Sequence, residues 1–127
     1  MNFHQEFKFL NSISTQASKA IIDLHILIMR CDNRVSLSEQ YHTQVVIDLL
    51  PWSDGISKES YYQISVAKIR ELLSKQEIKD LLQEISDVLN NQITREQLEF
   101  LTTMIVSADH VFTDAEAEVV DMLMAMQ

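Results

Sequence analysis

The chain has 127 residues, 46% of them apolar, enough for one domain that buries a core without disulfides or metal. One Gly and one Pro leave too little turn chemistry for an all-β sandwich or barrel, and they exclude collagen-like or low-complexity sequence. With 10 basic against 19 acidic side chains the net charge is −9, which argues against nucleic-acid backbones as partners and leaves a cation or a basic protein surface open.

The opening residues, MNFHQEFKFLNSI, lack a basic stretch followed by an apolar core, so no signal peptide is expected. Phe3, Phe7 and Leu10 have the spacing of one short helix. Next, Ala17, Ala20, Ile21, Leu24, Ile28 and Cys31 recur at helical spacing, and the residues between them are also rich in Ile, Leu and Met. Such a helix belongs at the centre, wrapped by others. Lys19, Asp23 and Arg30 fall near one stripe of it, expected to be solvated with an i,i+4 ion pair between Lys19 and Asp23. The most apolar stretch, Ala20 to Met29, is about half the ~20 residues of a membrane span and is interrupted by Asp23 and His25. The single cysteine, Cys31, cannot form an internal disulfide. A soluble cytoplasmic protein is therefore expected.

Further helix starts carry the capping box, Ser/Thr followed three residues later by Glu/Gln: Ser36 with Glu39, Ser74 with Glu77, Thr94 with Gln97, and Thr113 with Glu116. Ser57 starts another helix, after a loop that holds the only Pro and the only Gly, Pro51 and Gly55. Apolar faces follow at Tyr62, Val66, Ile69 and Leu73; at Ile78, Leu81, Leu82, Ile85 and Leu89; at Leu98, Leu101, Ile105 and Ala108; and at Ala115, Val119, Met122, Leu123 and Met126. No segment alternates with period two long enough for a strand. The pattern predicts an all-α fold: a single compact domain over residues 1–127, with six or seven helices around the central apolar helix and no linker.

The strongest signal is an internal repeat. Cys31-Asp32-Asn33-Arg34-Val35-Ser36-Leu37-Ser38-Glu39 and Ala108-Asp109-His110-Val111-Phe112-Thr113-Asp114-Ala115-Glu116 lie 77 residues apart. Both read small, Asp, two variable residues, apolar, Ser/Thr, two variable residues, Glu, and both sit between apolar helices. Two helix-turn-helix units related by this degenerate repeat are expected, with their turns close together. Asp32 and Asp109 fall at helix C-termini, where negative charge is electrostatically misplaced. Two readings stand side by side. In one, Glu39 and Glu116 only complete capping boxes, and the aspartates only stabilise turns through backbone N–H groups. In the other, Asp32, Glu39, Asp109 and Glu116 converge into an oxygen site for a hard cation, Ca²⁺ or Mg²⁺. The spacing is not that of an EF-hand loop.

This pattern resembles the TerB-like family, named for tellurite-resistance proteins, whose signature is a helix ending in Ala-Asp-Gly followed by an apolar residue, a small polar one and a Glu, present twice. The copy from Ala108 to Glu116 departs from it only at the Gly, where His110 stands; the copy from Cys31 replaces both the Ala and the Gly. The resemblance implies an all-helical domain with a cytoplasmic role in stress response or at a membrane-associated complex. It also implies an acidic surface that binds metal ions, with Asp32, Glu39, Asp109 and Glu116 as the carried-over residues.

Other chemistry has less behind it. Glu39 and His42 form an E-x-x-H, as in carboxylate-bridged di-iron bundles, but the position matching His42 in the second copy is Val119. Zn²⁺ would need His42 or His110 as a further ligand. His25 is read as a packing histidine, Cys31 as an inert buried thiol, and the six Met residues as core and end-packing. No nucleophile elbow or Cys–His pairing appears, so no enzyme is expected. From Glu96 to Gln127 there are seven acidic side chains and no Lys or Arg, either a solvated face or a docking surface for a basic protein partner. The expected function is a non-enzymatic acidic accessory protein that binds a divalent cation and docks on a partner. The alternative is a helical interaction module without metal.

Overall fold

The computed structural model describes residues 10, 12–30, 47–72, 74–107 and 114–126. Every regular element among them is helical: α1 (Thr15–Arg30), α2 (Lys58–Arg70), α3 (Lys75–Leu89), α4 (Arg95–Ser107) and α5 (Asp114–Ala125), with a further helical stretch at 47–49. The all-α expectation holds. Both repeat turns, and with them the closeness expected of them, lie outside the described residues.

Helix α1 is the centre, as its composition requires. Ala17, Ser18 and every residue from 20 to 28 are buried, and Lys19 is half-buried. It packs against α2, α3, α4 and α5, while α5 also packs on α3 and α4. Ile21, Leu24 and Leu27 meet a core completed by Leu50, Ile69, Leu82, Leu89, Leu98 and Leu123. No described helix is long and apolar enough to cross a membrane.

Local chemistry fixes the helix starts. Thr94 and Gln97 form a full capping box: the Gln97 N–H donates to Thr94 Oγ1 at 3.1 Å, and the Thr94 N–H donates to Gln97 Oε1 at 2.9 Å. Ser74 caps α3 by accepting from the Glu77 N–H at 3.2 Å; its hydroxyl then donates to Glu77 Oε1 at 3.1 Å, so the carboxylate does not return to the backbone. Ser57 accepts from the Ser60 N–H at 3.1 Å. For α1 the cap is Ser14, which accepts from the Ala17 N–H at 3.1 Å. The Ser14 N–H donates to Gln92 Oε1 at 3.2 Å, so a side chain from the turn before α4 does what a Glu or Gln three residues on does elsewhere.

The loop after Pro51 is tied at several points. Lys58 Nζ donates to the carbonyls of Ile47 at 2.8 Å and Leu50 at 2.9 Å, placing a cation at the end of the preceding helix, where the dipole favours it. Trp52 Nε1 donates to the Ile56 carbonyl at 2.7 Å, and the Ser53 N–H donates to Thr15 Oγ1 at 3.0 Å.

The buried faces of α3 and α5 follow the expected spacing: Leu81, Leu82, Ile85 and Leu89 are buried in α3, and Val119 and Leu123 in α5. Helix α2 differs. Its buried residues are Ser65 and Ile69, with Tyr61, Tyr62 and Val66 partly covered and Ile64 55% exposed. The inward stripe is centred on a serine because that serine answers a charge on α1.

Candidate functional site

Asp32, Glu39, His42, Asp109 and His110 lie outside the described residues, as does Cys31. Glu116 occupies the first turn of α5, at the position the repeat gives it, and its side chain is not among those described. Among the described residues no group of three or more His, Cys, Asp or Glu is placed to hold a metal ion. His25 is buried within α1, consistent with a packing role. Of the acids in the C-terminal segment, Glu118 is bound to Lys75 at 2.5 Å, joining α5 to the start of α3, while Glu96, Glu99 and Asp121 are exposed.

The polar centre that the structure does describe is Asp23. The expected solvated stripe with a Lys19–Asp23 pair is not what forms. Asp23 is buried, 6% exposed, and turns toward α2. Ser65 Oγ donates to its Oδ1 at 2.5 Å, and the Tyr61 hydroxyl lies 3.1 Å from both carboxylate oxygens. Lys68 Nζ is 3.9 Å from Oδ2, on an exposed side chain. Tyr61, Ser65 and Lys68 recur at 4 and 3 residues, one face of α2. Three polar groups on that face therefore converge on one carboxylate in the middle of the central helix.

Lys19 takes a different partner. It pairs with Asp54 in the loop after Pro51, and its Nζ sits 5.4 Å from the centre of the Tyr61 ring and 5.9 Å from that of Trp52. The two rings lie 5.7 Å apart at 54°. An aromatic shelf and an anion from a sequence-distant loop outcompete Asp23 for this cation.

The electrostatics follow from the burial. Desolvation pushes the Asp23 carboxyl above the usual carboxylate range, and the Glu84 charge adds to this; the Ser65 hydrogen bond, the Lys68 charge and the Tyr61 hydrogen bond oppose it. The Tyr61 hydroxyl is pushed well up, first by burial and then by the Asp23 charge it serves. Asp54 is held below its ordinary value, chiefly by Lys19.

Asp23 also lines a cleft of about 140 Å³ between α1, α2 and α3. Ala20 and Asp23 come from α1, Tyr61 from α2, and Leu81, Glu84, Ile85 and Val88 from α3, with Lys19 and Gln16 also lining it. Small size, apolar walls and a few converging polar groups suit a small group rather than a large ligand.

The spacing of Tyr61, Ser65 and Lys68, and a lone Asp among the apolar residues at the middle of the central helix, were the signals for this centre in the sequence. The chain matches no protein-family model, no curated protein and no solved structure.

Proposed function

We propose that the chain is a non-enzymatic, acidic, cytoplasmic accessory protein of the TerB-like kind. On this reading the turns around Asp32 and Asp109 hold one divalent cation, Ca²⁺ or Mg²⁺, through Asp32, Glu39, Asp109 and Glu116. The acidic C-terminal segment then docks on a partner protein, as part of a stress-response assembly that includes membrane-associated members. The observation that carries the reading is the 77-residue repeat. It is supported by the packing of α1, which leads into the first turn, against α4, which leads into the second. Four carboxylates in one place repel one another, and an ion bound only by the folded state relieves this, by about 2.7 kcal/mol at a hundredfold excess over Kd.

A second reading is favoured by one specific observation. The Ser/Thr-x-x-Glu/Gln motif caps helices at Ser74 and Thr94 with no ligand involved. By the chemistry seen at Gln97, Glu39 and Glu116 would serve only as caps, and the chain would be a helical protein-interaction module without metal.

Thermal melting of chelator-treated protein with Ca²⁺ or Mg²⁺, repeated on Asp32→Asn plus Asp109→Asn, separates the two. An ion-dependent rise in Tm that the double variant lacks supports the shared site. No rise in the wild type, with loss of stability on Glu39→Ala or Glu116→Ala, supports the interaction module. Because carboxylates repel oxyanions, direct tellurite binding is not expected, and saturable tellurite uptake in calorimetry would count against this electrostatic picture.

A further inference from the structure

We propose that the cleft between α1, α2 and α3 is a binding site for a primary alkylammonium group, the chemistry of a lysine side chain or of a free alkylamine. The site is distinct from the repeat turns and stands or falls independently of them.

Its two anionic groups come from different helices. The Asp23 side chain is 9% exposed and lines the cleft. Its Oδ2 receives one hydrogen bond, from a Tyr61 hydroxyl shared with Oδ1, which leaves acceptor capacity on a group that can take about four. Glu84 lines the cleft from α3, has no ion-pair partner among the described residues, and is near enough to repel Asp23. The apolar side chains Ala20, Ile85 and Val88 share the lining with Gln16 and Lys19. An apolar stem with an ammonium head matches this arrangement, since the methylenes can lie along the walls while the head bridges two carboxylates.

The cations already nearby do not fill this role. Lys19 also lines the cleft, but its Nζ is turned to Asp54 and to the aromatic shelf. Lys68 stands 3.9 Å from Oδ2, beyond hydrogen-bond distance, and does not line the cleft. A bound ammonium would make the direct bond to Oδ2 that Lys68 does not make, and would relieve the repulsion between Asp23 and Glu84.

The test is a titration followed by methyl NMR shifts of Ala20, Ile85 and Val88 and by calorimetry. The probes are n-butylammonium, its neutral counterpart n-butanol, a blocked five-residue peptide with one central lysine, and the same peptide with that lysine acetylated. Saturable shifts with butylammonium or the lysine peptide, and not with the neutral counterparts, are expected. The stronger of the two cations identifies the source. Glu84→Gln, at an exposed position that leaves the fold intact, should weaken binding about fivefold. Asp23→Asn should weaken it tenfold or more. Absence of saturable shifts with both cations overturns the proposal, as does equal binding of the neutral probes or unchanged affinity in Glu84→Gln.

Discussion

Replacing Asp23 by Ala removes the acceptor for two hydroxyls at once. Ser65 is 1% exposed, so its lost bond should cost about 2 kcal/mol, in the middle of the range for a buried unsatisfied group. Tyr61 is only half-buried and borders the cleft, so water can replace its acceptor, and about 1 kcal/mol is the better figure. Removing a desolvated charge offsets part of this sum, leaving an expected net loss of about 2 kcal/mol, or a Tm lower by roughly 8 °C for a domain of this size. Asp23→Asn keeps an oxygen that both hydroxyls can reach and should stay within about 1 kcal/mol of wild type. The two variants also differ in pH response. Because the folded state raises the Asp23 pKa above 3.8, its contribution to stability is fully present below that value and is lost as pH rises through the folded-state pKa. Asp23→Asn lacks this titration, so its stability relative to wild type should improve as pH rises through that window. Urea unfolding read by far-UV circular dichroism and by Trp52 fluorescence gives both quantities. If Asp23→Ala costs no more than Asp23→Asn, or if Ser65→Ala is as costly in the Asp23→Ala background as in wild type, the carboxylate does not join α1 to α2 as argued.

Three further outcomes concern other parts of the fold. Leu82→Ala, at a fully buried position of α3, should cost about 2–5 kcal/mol in urea unfolding through lost transfer energy and the cavity left behind. Lys58→Met removes the donor to the Ile47 and Leu50 carbonyls while keeping the stem; a loss of about 1–2 kcal/mol is expected, and faster amide exchange should be confined to the loop from Pro51 to Ser57. Thr94→Ala should cost about 1 kcal/mol by removing half of the reciprocal cap on α4, and Thr94→Ser should restore most of it.

The fold was legible where one physical rule acts alone. Near-absence of Gly and Pro, helical periodicity and hydroxyl caps are local, and they place α3, α4 and α5 and the central position of α1. What escaped depends on residues far apart in the chain. Gln92 completes the cap of Ser14 from 78 positions away, and nothing near either residue marks the pairing. Hydrophobic spacing gives α2 an apolar face through Tyr62, Val66, Ile69 and Leu73, since a stripe set by hydrophobicity passes over a serine. The buried stripe runs instead through Ser65 and Ile69.

Asp23 shows how two correct rules can give a wrong result when applied separately. A helix that is apolar nearly all round belongs in the core. A Lys and an Asp at i,i+4 can pair on a helix surface. Both cannot hold at the middle of α1, because a helix wrapped on every side has no solvated stripe there. Taken first, the burial rule would have required a hydrogen-bond donor for Asp23 from another helix, since a buried carboxylate without donors is far costlier than one with them. Tyr61, Ser65 and Lys68, which recur on one face of α2, are such a set of donors. Lys19 escapes the conflict because its long stem carries the charge out to Asp54 and the faces of Trp52 and Tyr61. The short aspartate has no such reach, so its place in the sequence demanded a polar partner inside the fold, which Ser65 and Tyr61 supply.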